Sequence, residues 1–62
     1  MGNNTNIYEK QDYIGDGVYT EFDGRGITLK ANDPIHPTDT IYLEPEVLGG
    51  LIRFAKRMGI MK

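Results

Sequence analysis

The sequence predicts an α+β fold: a three-stranded antiparallel sheet (β-β-β) with one C-terminal helix packed on one face. Three observations predict it. Apolar residues alternate over Gly17–Phe22, Ile27–Ala31 and Thr40–Leu43, the period of strands with one face in a core. Asp23-Gly24-Arg25-Gly26 separates the first two runs, and Asp-Gly is a strong hairpin signal. From Pro45 onward the apolar spacing becomes i, i+3, i+4, i+7, the mark of an amphipathic helix.

The first eleven residues, MGNNTNIYEKQ, are polar and read as a disordered tail. Residues 12–62 form a single domain. Within it, QDYIG (Gln11–Gly15) gives a short strand or a lead-in to the hairpin. The run Gly17–Phe22 then places Val18, Thr20 and Phe22 on one face, with Tyr19 and Glu21 on the other. In Ile27–Ala31, residues Ile27, Leu29 and Ala31 share a face. Pairing Phe22 with Ile27 sets Thr20 opposite Leu29 and Val18 opposite Ala31, and a tighter turn keeps the same faces together. NDPIHPTD (Asn32–Asp39) is a loop, since a residue before proline is held extended. Thr40–Leu43 is the third strand, with Ile41 and Leu43 inward and Tyr42 outward.

Pro45 suits the first helical position, where its missing N–H costs nothing. Glu44 and Glu46 sit at the positive end of the helix dipole, and Arg53, Lys56 and Arg57 near its negative end. Gly59 is placed to cap the C-terminus. Leu48, Leu51, Ile52, Ala55 and Met58 should face the sheet, with Val47 and Phe54 widening the stripe. That width is more than one small sheet covers, so a second subunit is expected. Gly49-Gly50 is anomalous, because each glycine costs about 1 kcal/mol against alanine in a helix interior. Close approach of the helix backbone to a strand or a symmetry mate is the main reading. A kink, or a helix starting only after Gly50, are the others.

Sixty-two residues make one small domain, which buries only about 60% of its unfolded surface. Such chains lean on disulfides, metals or partner subunits. The chain has no cysteine, and association as a homodimer is the supplement left by elimination. Net charge is −2, and the pI near 5.1 argues against nucleic-acid binding through overall charge. The charge is nevertheless divided. Residues 1–43 carry three Lys/Arg and seven Asp/Glu, whereas residues 44–62 carry four and two. Two such halves can attract each other between subunits. No apolar run spans a bilayer, and the N-terminus lacks a secretory pattern, so a cytoplasmic location is expected.

Catalytic groups are scarce. There is no serine and no cysteine, and His36 is the sole histidine, so no Ser/His or Cys/His pair exists in one chain. An enzyme is not expected, nor is a cofactor. Asp12, Asp16 and Asp23 read as turn formers, as do the acids around His36 (Asp33 and Asp39), and neither set matches a zinc or calcium pattern. Gly15-Asp16-Gly17 precedes a strand rather than a helix and lacks a third glycine, so it is no dinucleotide fingerprint. The partner-binding candidates are Tyr19, Glu21 and Tyr42 on the outer sheet face, and Arg53 and Arg57 on one helix face.

Tyr13-Ile14-Gly15-Asp16-Gly17-Val18-Tyr19, then Phe22-Asp23-Gly24, then Ile41-Tyr42-Leu43-Glu44-Pro45-Glu46-Val47-Leu48 form a recognisable pattern. It resembles a group of short proteins of phages and prophages, over about Asp12 to Met58. The resemblance brings no catalytic or binding residues. It implies a virus-encoded accessory protein in a bacterial cytoplasm, acting by binding, with inhibition of a host anti-phage defence protein as the leading function. A nucleic-acid or nucleotide binder using the helix cations is one alternative, and a structural or assembly component is another.

Overall fold

Asp16-Gly17 makes the first turn of the described residues, and with it a strand beyond the three of the expected sheet. The computed structural model describes residues 10–61. Strand β1 (Gln11–Gly15) pairs antiparallel with β2 (Val18–Phe22). Asp16 has φ 53° and Gly17 φ 79°, and positive φ at both central residues lets a two-residue turn match the twist of its strands. β2 pairs with β3 (Ile27–Ala31), and β3 with β4 (Thr40–Leu43), giving a meander ordered β1-β2-β3-β4. The sheet therefore has four strands, not three. The tail expected over residues 1–11 lies outside the described residues except for Lys10 and Gln11, and Gln11 opens β1.

The central hairpin has the expected register, with Phe22 opposite Ile27, Thr20 opposite Leu29 and Val18 opposite Ala31. Its turn is built on Asp23. The Asp23 Oδ1 accepts from the Arg25 and Gly26 amides, both at 2.8 Å, and the Asp23 amide donates to the Gly26 carbonyl at 3.3 Å. The β3–β4 loop is closed by Asn32, at φ 75°. Its amide donates to the Gly17 carbonyl at 2.6 Å, and its side-chain Nδ2 donates to Thr38 Oγ1 at 2.8 Å.

Helix α1 (Pro45–Arg57) opens at Pro45, as Pro at N1 favours. It is continuous through Gly49-Gly50, which rules out a start after Gly50. It closes on Gly59, at φ 83°. The Gly59 amide donates to the Lys56 carbonyl at 3.0 Å, and the Ile60 amide to that of Ala55 at 3.1 Å. This doubly bonded cap satisfies carbonyls that the helix end would leave open.

The packing departs from expectation. Within one chain α1 does not lie across the sheet. Of the strands, only the adjoining β4 makes more than marginal contact with it, and no helix residue is buried. A single residue, Glu44 at φ −67° and ψ 161°, joins β4 to α1. A residue before proline is held in that extended range, so the helix is directed off the end of β4 and not folded back. Among the described residues no apolar side chain is buried, and Gly26 is the one buried residue.

Candidate functional site

The pleat sorts the side chains onto two faces, since alternate residues point opposite ways. One is apolar: Val18, Phe22, Ile27, Leu29, Ile41 and Leu43 share it through the pairs Phe22–Ile27, Ile27–Leu43 and Leu29–Ile41. The other carries Tyr13, Tyr19, Glu21, Lys30 and Tyr42, through the pairs Tyr13–Tyr19, Tyr19–Lys30, Glu21–Thr28 and Thr28–Tyr42.

On this tyrosine face the Tyr13 and Tyr19 rings lie 4.7 Å apart at 44°, within the favourable range for an offset aromatic pair. The Tyr13 hydroxyl also accepts from the Gly17 amide at 3.1 Å, which ties the ring to the turn. Beside them, Lys30 Nζ lies 2.6 Å from Glu21 Oε1 and donates to the Pro34 carbonyl at 3.2 Å. Tyr13, Tyr19, Glu21, Lys30 and Pro34 line an open groove of about 370 Å³. Tyr19 and Glu21 were expected here. Tyr13, Lys30 and Pro34 were not, and the pairing of β1 with β2 is what adds Tyr13.

Tyr42 shares the face but has another task. Its hydroxyl donates to Asp23 Oδ2 at 3.0 Å, and its ring covers Gly26. It locks the hairpin turn from two strands away from Tyr19. Arg53 and Arg57 are remote from the groove. Arg57 lies over the Phe54 ring, 5.4 Å from its centre, a cation–π contact. A methyl group at Gly49 or Gly50 would meet no strand, and beyond the local helix backbone only the Arg53 guanidinium, at 3.4 and 3.6 Å. Close approach to a strand of the same chain therefore does not explain the two glycines. The five expected contact residues thus divide into a groove pair, a structural tyrosine and two helix cations.

Two carboxyls are held below the usual aspartate range. Asp23 is lowered by the Gly26 and Arg25 amides, then by the Tyr42 hydroxyl. Asp33 is lowered by the His36 and Ile35 amides, which its Oδ1 accepts at 2.9 and 2.8 Å. Each binds its proton less readily folded than unfolded. The stability linked to them is complete above the unfolded value and is lost as pH falls through the folded values. Urea midpoints should hold level from neutral pH down to about pH 4 and drop below it. In the double variant Asp23→Asn, Asp33→Asn the acid drop should be shallower; an unchanged drop would assign it to other acids.

Among the described residues no three His, Asp or Glu side chains are grouped to hold a metal ion. No helix of the described residues is long and apolar enough to cross a membrane. No family model matches the chain, and neither a curated protein nor a solved structure matches it significantly.

Proposed function

We propose that the chain is a small, non-enzymatic binding protein of phage type, which inhibits a host protein in the bacterial cytoplasm, with an anti-phage defence component as its target. The tyrosine groove carries this reading. Two tyrosines with fixed rings, flanked by an ion pair and backed by a sheet, present rigid amphipathic area at low entropic cost. Tyrosine is enriched where binding energy concentrates in protein interfaces. The groove is open to solvent and not enclosed, which suits a protein surface better than a small molecule that must be buried. The resemblance to short phage and prophage proteins supplies the setting and supports inhibition as the outcome.

Phage carrying the intact gene should form plaques on a host with the target system far more efficiently than phage with the gene deleted. On a host lacking that system the two should be equal. The purified chain should capture the target from lysate, and Tyr19→Ala should weaken capture at least tenfold, the scale of an interface hot spot. Equal plaque yields on both hosts would remove the inhibitor reading.

A second reading is binding to a nucleic acid or nucleotide through α1. It is favoured by the open backbone at Gly49-Gly50 beside Arg53, with Lys56 and Arg57 in the last turn. It requires affinity that falls steeply with salt and is lost in Arg53→Ala, Arg57→Ala, whereas Tyr19→Ala leaves it intact.

A further inference from the structure

We infer that a second copy of this chain completes the fold, with α1 of each copy lying across the apolar sheet face of the other. This does not depend on the host target. Two apolar surfaces are left open in one chain. On α1 and its C-terminal cap, Val47, Leu51, Phe54 and Met58 are each about half exposed, and on the sheet Ile41 is 58% exposed and Phe22 43%. Exposed on both, the described residues form no buried apolar core to hold so small a chain together.

Three observations select a second copy as the cover. The first is the junction. One extended residue, Glu44, separates Leu43 from Pro45, so a helix can reach its own sheet face only by breaking that conformation. A partner's helix meets no such constraint. The second is size. Thirteen helical residues extend about 20 Å, and strands of four or five residues extend about 13–17 Å, so helix and sheet face match in length. The third is charge. The sheet half, residues 1–43, has four more acids than bases, and residues 44–62 have two more bases than acids. Asp39 and Lys30 border the apolar depression formed by Val18, Leu29, Ala31 and Ile41. The Lys30 ammonium is held on the other face by Glu21 and the Pro34 carbonyl, so Asp39 gives the depression an acidic edge, where an incoming helix brings Arg53, Lys56 and Arg57. Opposite potentials of this kind favour helix on sheet over helix on helix.

A twofold arrangement buries both open surfaces at once, because each copy gives a helix and receives one. It also leaves the two tyrosine faces outward, so the dimer presents the groove twice.

The chain has no natural cysteine, which makes the test direct. Full-length Leu51→Cys is mixed with nitrogen-15-labelled full-length Ile41→Cys. The mixture is unfolded, refolded together and treated with a short bis-maleimide, and products are resolved by mass. The inference expects the mixed-label dimer, joining Leu51→Cys to Ile41→Cys, to exceed each same-label dimer at least fivefold. Predominance of Leu51→Cys joined to itself would put helix against helix and overturn it. Predominance of Ile41→Cys joined to itself would put sheet against sheet, with the same consequence. Light scattering of the unsubstituted chain at micromolar concentration should give twice the chain mass. A monomer there would overturn the inference whatever the cross-links show.

Discussion

Replacing Gly26 with alanine should cost about 2–3 kcal/mol, the scale of forcing an extra carbon into a filled site. A domain of this length has about 3–9 kcal/mol in all, so the loss is a large share of the total. The reason is steric. A Cβ on Gly26 would lie 2.6 Å from Tyr42 Cζ, 2.7 Å from the Leu43 carbonyl oxygen and against the Tyr42 hydroxyl. The ring is held by its hydroxyl on Asp23, and the carbonyl belongs to β4. Neither can withdraw without opening the β3–β4 edge. Adding Tyr42→Ala should recover only part of the loss, because the carbonyl stays. Gly24→Ala is the control: its φ is 97° but a Cβ there meets nothing, so only backbone strain of about 1 kcal/mol applies. Urea unfolding followed by far-UV dichroism separates the three. A Gly26→Ala midpoint equal to that of the unsubstituted chain would mean that Tyr42 does not pack there.

The same corner gives Tyr42 a structural task that its outward position alone does not reveal. Alternation along Thr40–Leu43 correctly places it on the outer face. Its partner, Asp23, is nineteen residues away and becomes a neighbour only through the β3–β4 register. Local pattern sees the face but not the partner. The β2–β3 hairpin was legible because its apolar residues alternate without interruption. A one-residue slip there would expose all of them.

Strand β1 was harder to read. Its register shifts between Tyr13 and Gly15, so Ile14 breaks the alternation, and Asp12 lies opposite Thr20 on the apolar face. The informative signal was Asp16-Gly17, a two-residue turn hidden by the glycines on either side of Asp16. Of the two readings of Gln11–Gly15, a short strand or a lead-in, the structure bears out the strand; the three-stranded sheet leaves it out, and with it Tyr13, half of the aromatic pair. The helix limits, its proline start and its glycine cap were all legible, because caps are local chemistry. Where the helix goes was not. Its stripe declares that it must be covered, and only the geometry at Glu44 shows that its own sheet is out of reach.

In the proposed dimer that geometry couples association to folding, and Leu51→Glu tests the coupling. Leu51 lies on the α1 stripe, half exposed in one chain. In the dimer it is covered, and a carboxylate there is desolvated without a partner. If each chain kept a core of its own, the variant would be a folded monomer. No apolar side chain of the described residues is buried within one chain, so separated chains lack the burial that offsets their conformational entropy. Leu51→Glu should therefore lose its far-UV signal together with its dimer mass at micromolar concentration. Ile35→Glu changes a residue 77% exposed in the proline loop and should leave both intact. The unsubstituted chain should show the same coupling by mass action. A hundredfold rise in concentration adds about 2.7 kcal/mol to the stability of a dimer that has no folded monomer. With the usual unfolding entropy of two chains, that raises Tm by about 10 °C. A Tm independent of concentration, or a Leu51→Glu monomer with full helix and sheet signal, would show that one chain folds alone.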